Sequence, residues 1–342
     1  MRRLVVFIGV ALVLLGGAAT FNWWVDPFAE VWKPGAIADA RAGSCLVSQE
    51  LIGIRYQSFK LDVFAHRPTR TFVVGSSRVL EIASHPGERT FSNLGYPGAA
   101  PETILKLFRA LPAKPAQTVY IGVEAFWLNA RYAVPDTDPS AYHLAEYLLS
   151  RSAFTTGFKL VRQAHYILSD RWRKTEVGDR CVIGRIYPSI NWRLDGSRVW
   201  SWELDPKRFP KFHPAPFTGN LETWRNGYFA GWRSLDERRV HVLEQALALA
   251  RERGWRVVGF APPEPPLMLH VLDTDPRIAP RWHEFLALMP RLFARYGFGW
   301  AGLEDGRRVP CRASEFPDAF HTDRACSARV RERLDEAARR LH

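Results

Sequence analysis

Two short segments, far apart in the chain, carry side chains whose types and spacing suit acyl transfer. In "TFVVGSSRVL" a predicted buried strand stops at Gly75, and Ser76 and Ser77 follow. A parallel strand delivers its C-terminal end to the ligand crevice, and the helix start that follows adds N–H groups beside a developing oxyanion. In "FPDAFHTD" Asp318 precedes His321 by three residues, so the carboxylate can orient an imidazole base. The plainer interpretations are a helix N-cap and a polar loop.

Two further segments place polar groups after predicted strands. The loop "FSNLGYPG" puts Asn93 and Gly95 behind a short strand, where the Gly95 N–H would face the crevice and Asn93 would be available to substrate. Glu124 lies just beyond the strand "VYIGV", where it is a candidate to contact substrate. Arg78 either binds an acidic group of the substrate or is a surface residue at a helix start.

Four short apolar runs, with helical segments between them, predict a parallel sheet. Such short runs rich in β-branched residues are typical of buried parallel strands, and they are "TFVVG" (71–75), "VYIGV" (119–123), "WRVVGF" (255–260) and "FGWAGL" (298–303). The predicted helices run from Pro101 to about Leu111, from about Leu235 to before Gly254 with Ser234 and Glu237 as a capping box, and through "SARVRERLDEAARRL". This alternation predicts a doubly wound α/β sheet.

Between residues 130 and 233 the pattern changes. Six tryptophans stand among proline, glycine and charged residues with weak periodicity: Trp172, Trp192, Trp200, Trp202, Trp224 and Trp232. We therefore predict a tryptophan-rich cap inserted into the α/β domain. Its rings either fill a small irregular core or line a groove and stack on sugar faces.

The N-terminus carries an apolar segment long enough to cross a membrane. Arg2 and Arg3 precede 22 uncharged residues, Leu4 to Val25, and a spanning helix needs about 20. The segment, residues 1–28, is either an inner-membrane anchor or a signal peptide cleaved after a Gly-Ala-Ala stretch. Both interpretations place residues 29–342 in the periplasm or outside the cell. We expect these residues to form one domain that includes the cap. Export argues against nucleic acid as a partner.

Composition and cysteines are compatible with an exported protein. Lys and Arg outnumber Asp and Glu by 47 to 35 in 342 residues, and the formal charge of +12 suits an anionic partner such as a phospholipid head group or an acidic glycan. Hydrophobic residues make up 47% of the chain, which excludes a disordered protein. The four cysteines resemble no zinc site. Cys311 and Cys326 either form a disulfide that clamps the "FPDAFHTD" loop or remain free buried thiols.

These motifs resemble the blocks of SGNH (GDSL-like) hydrolases and acyltransferases. The resemblance covers roughly residues 70–125 and 255–342, and it implies a flavodoxin-like doubly wound sheet. "GSSR" resembles the first block and implies that Ser77 is the nucleophile. "NLGYPG" resembles the second, which makes the Gly95 N–H an oxyanion donor beside that of Ser77. "DAFH" resembles the last, with Asp318 as the orienting acid and His321 as the base.

A narrower resemblance concerns the N-terminal helix followed by "FNWWVDPF" and "VVGSSRVL". This arrangement is similar to bacterial exported SGNH-like proteins of surface-polysaccharide systems, some of which work beside a membrane-bound O-acyltransferase. It implies an esterase or O-acyltransferase that moves an acyl group, with acetyl as the expected group, on a cell-surface or exported polysaccharide. The alternative is a catalytically silent partner that binds glycan or docks the membrane enzyme. No metal or organic cofactor is implied.

One residue departs from the family pattern. The third block of typical SGNH hydrolases is Gly-x-Asn, whose amide donates to the oxyanion, whereas this chain has Gly122-Val123-Glu124. A carboxylate cannot donate when ionised, so Glu124 points away, pairs with a cation such as Arg78, or stays protonated. Because one lost oxyanion donor costs about 10²- to 10³-fold in rate, the sequence predicts that Glu124 limits esterase activity.

Overall fold

The fold is given by a computed structural model, which describes residues 2–26, 31, 45–48, 59–61, 64–65, 68–112, 117–134, 144–162, 174–177, 180–183, 190–207, 217–305, 308–318 and 320–341. The chain divides into two compact units. We call Met1–Phe59, Ser140–Leu194 and Val199–Phe209 the N-terminal unit, and Lys60–Pro139, Asp195–Arg198 and Pro210–His342 the sheet unit.

The described residues form strands and helices that we number along the chain. The strands are β1 Leu46–Ser48, β2 Thr71–Val74, β3 Phe91–Asn93, β4 Thr118–Gly122, β5 Lys174–Val177, β6 Arg180–Ile183, β7 Ile190–Trp192, β8 Arg198–Trp200, β9 Arg256–Ala261 and β10 Gly299–Gly302. The α-helices are α1 Arg2–Val25, α2 Pro101–Ala110, α3 Leu144–Leu148, α4 Arg151–Arg162, α5 Ser201–Leu204, α6 Phe217–Gly227, α7 Glu237–Glu252, α8 Pro266–Thr274, α9 Ala279–Arg295 and α10 Arg324–Arg339.

The sheet unit contains a parallel five-stranded sheet in the order β10-β9-β4-β2-β3. All four predicted strands are present in it, which confirms the α/β prediction. Counted along the chain within this sheet, the order is 2-1-3-4-5, one of the two common doubly wound orders. The order reverses between β2 and β4, and in such sheets ligands bind outside the carboxyl ends of the strands at that point.

Helices cover both faces of this sheet because successive strand residues point to opposite sides. Phe72 and Val74 join the larger apolar core with α2, α7, α8 and α9, whereas Val73 joins a second core with α10. Strands buried on both faces read as continuous apolar runs, which is why they were legible in the sequence.

Two helix starts differ from the predictions. The N-cap of α7 is Asp236, which accepts a hydrogen bond from the Arg238 N–H, and not Ser234. The Asp236 N–H donates to the carbonyl of Leu128 at 2.8 Å, so the chain is still held as a loop at that residue. The C-terminal helix begins at Arg324, three residues before the predicted segment, because the Asp323 side chain caps it.

The N-terminal unit combines α1 with a mixed sheet in the order β5-β6-β1-β7-β8. A disulfide joins Cys45 to Cys181 in this unit. By length and composition alone, α1 could cross a membrane or serve as a signal sequence. The unit's boundaries differ from the single insertion predicted at about 130–233, since residues 210–233 fall in the sheet unit. Part of the predicted cap thus shares a unit with the N-terminal residues.

The described tryptophans of the predicted cap mostly fill cores. Trp192 is buried in the N-terminal unit, and Trp224 and Trp232 belong to the larger core of the sheet unit. Trp200 and Trp202 are half-buried, and Trp172 lies outside the described residues. For Trp224 and Trp232 the prediction that they line a groove is therefore wrong, because their rings pack against other aromatic side chains.

Candidate active site

The first predicted segment lies at the carboxyl end of β2. Gly75 has φ +153°, and a Cβ there would lie 2.9 Å from the Val79 side chain and 3.0 Å from the carbonyl oxygen of Gly122. Only glycine fits this bend without displacing the end of the neighbouring strand. Directly after the bend, a single 3₁₀ turn at Ser77–Val79 leaves the Ser77 side chain half-buried at the edge of the sheet.

Ser77, His321 and Asp318 form a continuous chain of hydrogen bonds. Ser77 Oγ lies 2.8 Å from His321 Nε2, although 244 positions separate the two residues. His321 Nδ1 lies 2.7 Å from Asp318 Oδ2. With Nδ1 donating to the carboxylate, Nε2 is the acceptor that can take a proton from the serine hydroxyl. The structure thus brings the three side chains together in the order that a nucleophile, a base and an orienting acid require.

The loop that carries Asp318 and His321 is fixed locally. Asp318 Oδ1 accepts the backbone N–H groups of Phe320 at 2.8 Å and His321 at 2.7 Å. Burial would raise the pKa of Asp318, but the hydrogen bond and charge of His321 and these two N–H donors lower it to about 2. The carboxyl group is therefore ionised at neutral pH. Of the two alternatives for Cys311 and Cys326, which flank this loop, the structure has the disulfide.

Arg78 lies at the centre of a buried group that we call the arginine cluster: Ser76, Arg78, Glu124 and Glu264. Arg78 Nη1 donates to Glu124 Oε2 at 2.8 Å and to Glu264 Oε1 at 2.6 Å. The Ser76 hydroxyl donates to Glu124 Oε1 at 2.6 Å. Glu124 therefore pairs with Arg78, one of the three alternatives that the sequence left open.

Arg78 also reaches the backbone on both sides of the cluster. Its Nη2 donates to the carbonyl of Pro263 at 2.6 Å, and its Nε donates to the carbonyl of Phe320 at 3.0 Å. Arg78 is 5% exposed, so the predictions of a surface residue or of a group that binds substrate are wrong. Its guanidinium instead joins the end of β2 to the segment after β9 and to the residue before His321.

Within the arginine cluster, the pKa of Arg78 and the pKa of Glu264 are affected differently by burial. Burial would lower the pKa of Arg78, but the charges of Glu124 and Glu264 raise it, so the guanidinium stays charged. Burial raises the pKa of Glu264 to about 7, against the opposing effect of Arg78. Glu264 is 6% exposed, and one of its carboxylate oxygens is buried without a hydrogen bond. Neutral pH is therefore the range in which Glu264 changes protonation.

Asn93 and Gly95 have structural roles that differ from those predicted. Asn93 Nδ2 donates to the carbonyls of Val79 at 2.6 Å and Ile82 at 2.8 Å, and Asn93 Oδ1 accepts the Gly95 N–H at 2.9 Å. The Gly95 N–H is therefore committed to Asn93 and does not face an oxyanion. Asn93 is fully buried, so it is not available to substrate either. Asn93 instead holds the turn that follows Ser77, and its Oδ1 fixes the backbone at Gly95.

Two buried charged residues of the site were not predicted. Lys60 donates to Asn93 Oδ1 at 3.2 Å and to the carbonyl of Gly95 at 2.7 Å, and burial holds its pKa well below the ordinary value. Glu264 follows β9 in "FAPPEPP". Like Glu124, it is a carboxylate just after a predicted strand, so the same pattern could have identified it. Lys60 had no such signal, because no recognisable pattern surrounds it.

Aromatic rings lie near His321. The half-buried Phe320 ring is 6.4 Å from the imidazole, 5.1 Å from the buried Trp224 and 5.9 Å from Tyr228, measured between ring centroids. Burial, with a smaller effect of the Glu124 charge, raises the pKa of Tyr228, so its phenol keeps the proton and can donate. Phe320 and Tyr228 are thus partly accessible rings that both pack against the buried Trp224.

Among the residues that the structure describes, no group of three His, Cys, Asp or Glu side chains is placed to hold a metal ion. Comparison of the sequence with models of known protein families and with curated proteins found no match. The fold and the hydrogen-bonded Ser-His-Asp group are therefore what any assignment of function must rest on.

Proposed function

We propose that this chain is a serine acyl-transfer protein of the SGNH type, an esterase or O-acyltransferase for a cell-surface or exported polysaccharide. The observation that carries the proposal is the 2.8 Å contact between Ser77 Oγ and His321 Nε2, with Asp318 on the other side of the imidazole. The 2-1-3-4-5 sheet and the position of Ser77 after β2 support membership of this fold family.

The reaction would follow the usual two steps of a serine acyl enzyme. Ser77 Oγ attacks the acyl carbonyl while His321 Nε2 takes the hydroxyl proton, and the leaving alkoxide then receives that proton as its bond to the acyl carbon breaks. The acyl group remains on Ser77. In the second step a sugar hydroxyl or water attacks the acyl carbon and gives its proton to His321. The bond between the acyl carbon and Ser77 Oγ then breaks, His321 returns the proton to Ser77 Oγ, and the acyl group leaves on the acceptor oxygen as the new ester or free acid.

The number of N–H groups that can stabilise the oxyanion affects which acyl donors the site can use. The Ser77 N–H remains as the expected donor, whereas the Gly95 N–H donates to Asn93 and Glu124 is paired with Arg78. Since each oxyanion donor contributes about 10²- to 10³-fold in rate, a site with fewer of them favours a reactive acyl donor over a stable ester. This supports acyl transfer from an activated donor more than rapid ester hydrolysis.

The proposed substrate class is supported by the apolar helix α1 and by the partly accessible rings near His321. An apolar α1 supports placement beyond the membrane, where polysaccharide is the abundant hydroxyl acceptor. The half-buried Phe320 lies beside His321 and contacts the half-buried Tyr228, and aromatic rings at a binding site can contact sugar rings. A membrane-bound O-acyltransferase would be the natural source of acyl groups on that side.

The second candidate is a catalytically silent protein that binds glycan or docks a membrane enzyme. The commitment of the Gly95 N–H to Asn93 favours it, because this leaves the oxyanion site without its second expected donor. The two candidates differ in whether Ser77 ever carries an acyl group.

The experiment that separates them is acylation of the full-length chain in detergent with an activated aryl acetate. Mass spectrometry of the digested protein should find one acetyl group on the Ser77 peptide. Ser76→Ala is the matched control, since the neighbouring hydroxyl belongs to the arginine cluster and its loss should leave acylation of Ser77 in place. An acetyl group equally abundant in Ser77→Ala, or none at all in the unchanged protein, would favour the silent candidate.

A further inference from the structure

The C-terminal end of α1 is packed against the helical pair α3 and α4. Asn22 is fully buried, and its Nδ2 donates to the carbonyls of Leu148 at 2.8 Å and Ser150 at 3.2 Å, between the two helices. The ring of Phe21 lies 5.1 Å from that of Phe154 in α4. The last turn of α1 is therefore part of the packing of the N-terminal unit.

A small residue allows α4 to approach α1 closely. A Cβ on Gly157 would lie 2.9 Å from the ring of Phe21 and 3.3 Å from the side chain of Val25. Ala153, one turn earlier, is also buried. These two positions form the face of α4 that rests on α1, because residues four apart share a helix face.

Next to this face, α3 and α4 expose large apolar side chains. Outside α1, six large hydrophobic residues among the described part of the chain are 40% or more exposed, and five of them lie in residues 144–162: Leu144 56%, Leu149 53%, Phe154 40%, Phe158 56% and Val161 42%; the sixth is Leu267 at 44%. Phe154, Phe158 and Val161 are spaced by four and three residues, so they form one stripe along α4. Such a concentration marks a surface that meets something other than water.

The length of α1 sets the level at which this stripe lies. A helix rises about 1.5 Å per residue and a hydrocarbon core is about 30 Å thick, so about 20 residues cross it. With Arg2 and Arg3 at one side, the crossing ends near Trp23 and Trp24, which are 45% and 48% exposed. Phe21 and Asn22, the residues that contact α3 and α4, thus lie at the boundary between acyl chains and head groups.

We propose that residues 144–162 form an interfacial helical pair whose exposed stripe inserts into the same bilayer that α1 crosses. An apolar stripe of this kind on a helix lying in the interface inserts about 5–10 Å, to the boundary of head groups and acyl chains. The occupant is the lipid surface, because the stripe is continuous with the apolar exterior of α1 through the contact of Phe21 with Phe154. The inference rests on the proposed membrane placement of α1 and not on acyl-transfer chemistry.

The consequence is that α1 is retained as a structural element. Its last residues form the seat of α3 and α4, and cleavage after the Gly-Ala-Ala stretch would leave that seat without the helix that continues it into the membrane. An N-terminal unit held at both α1 and α4 would have a fixed depth and orientation at the bilayer, unlike one tethered by a single helix alone.

The test is photolabelling of the full-length chain in vesicles of phosphatidylethanolamine and phosphatidylglycerol that contain a lipid with a diazirine in its acyl chain. After irradiation and digestion, mass spectrometry should find label on peptides of α1 and of residues 144–162, several-fold above the α8 peptide. That peptide is the matched control because it carries Leu267, the equally exposed apolar residue outside this region. The Phe158→Asp variant should lower the labelling of its own peptide, whereas Leu267→Asp should change nothing.

Two results would overturn the proposal. Label on α1 with none above the α8 level on residues 144–162 would show that the stripe faces water or a second copy of the chain. An unlabelled α1 would remove the membrane placement itself, and the inference with it. Acetylation of Ser77 in the same vesicles is an independent readout, so neither result depends on the proposed acyl-transfer activity.

Discussion

The carboxyl edge of the parallel sheet holds two hydrogen-bonded groups of charged side chains that differ in where their hydrogen bonds end. Asp318 and His321 form a chain that ends at the half-buried hydroxyl of Ser77. In the arginine cluster the carboxylates of Glu124 and Glu264 meet the guanidinium of Arg78, and all three side chains are buried. The first group leaves a reactive atom at an open end, whereas in the second the charged side chains are paired with one another and buried. The comparison teaches that a charged residue beside a nucleophile acts on substrate only if its hydrogen bonds are not already used.

Beyond the backbone that joins Ser76, Ser77 and Arg78, a hydrogen bond from Arg78 Nε to the carbonyl of Phe320 at 3.0 Å links the two groups. Because Phe320 precedes His321, the arginine cluster positions the open group. The predictions below separate effects on chemistry, expected from the open group, from effects on stability, expected from the arginine cluster.

The largest effect should follow the loss of the orienting carboxylate. Asp318→Asn keeps the size of the side chain but no longer fixes the imidazole tautomer, so we expect kcat for an activated aryl acetate to fall by about 10⁴-fold with little change in KM. Steady-state kinetics on the full-length chain measures this split. A rise in KM with an unchanged kcat would mean that Asp318 contacts substrate instead.

Removal of the central cation should mainly affect stability. Arg78→Met leaves Glu124 and Glu264 buried without their cation, and we expect a loss of about 3–5 kcal/mol in the free energy of unfolding. Urea denaturation followed by tryptophan fluorescence measures it. The control is Arg281→Met, since the pair of Arg281 with Glu284 is exposed and should contribute little. Equal stability of the two variants would contradict the role given to the cluster.

A smaller loss of stability should follow Glu124→Asn. The sequence alone predicted a faster esterase from this change, as an amide would replace a carboxylate beside the oxyanion. The contacts of Glu124 with Arg78 and Ser76 predict instead a loss of about 1–3 kcal/mol in the free energy of unfolding and no gain in turnover. A folded variant with a higher kcat would restore the original interpretation and place the carboxylate near the acyl carbonyl.

The last effect is comparable in size and concerns pH. The pKa of Glu264 is raised to about 7 in the folded chain from an ordinary 4.5, so the folded state binds a proton that the unfolded state has lost between these values. The free energy of unfolding should therefore fall as pH rises from 4.5 to 7 and then level off, by a total on the order of 1–3 kcal/mol from this residue. Glu264→Gln should flatten that part of the curve. An unchanged slope would mean that Glu264 is ionised throughout.

The sequence predicted the parts of this site that local patterns carry. The strands are short apolar runs bounded by glycine, and the Asp318-His321 spacing fixes its own hydrogen bond, so both could be recognised without knowledge of the fold. The Asn93-Gly95 turn also had a local signal, since an Asn side chain often accepts the N–H two residues on, but the family resemblance suggested another role for that N–H.

The rest depends on contacts between distant parts of the chain. The side-chain and backbone partners of Arg78 lie 46, 186 and 242 positions away in Glu124, Glu264 and Phe320, so no window of sequence could show that its guanidinium is buried. The division into two units likewise depends on β1 pairing with β6, 136 positions along the chain at Leu46 and Val182. Because local sequence patterns do not show such pairings, the boundaries of the cap could not be predicted from the sequence.

The central claim is that Ser77 and His321 act as one catalytic unit at the open end of the edge. Residues that act as a unit are strongly non-additive, so Ser77→Ala, His321→Ala and the double variant should lose nearly the same activity toward an activated aryl acetate, while Ser76→Ala keeps most of it. One kinetic comparison of these four variants with the unchanged chain is the most direct test. Losses that multiply in the double variant, or a Ser77→Ala chain as active as the original, would contradict the account.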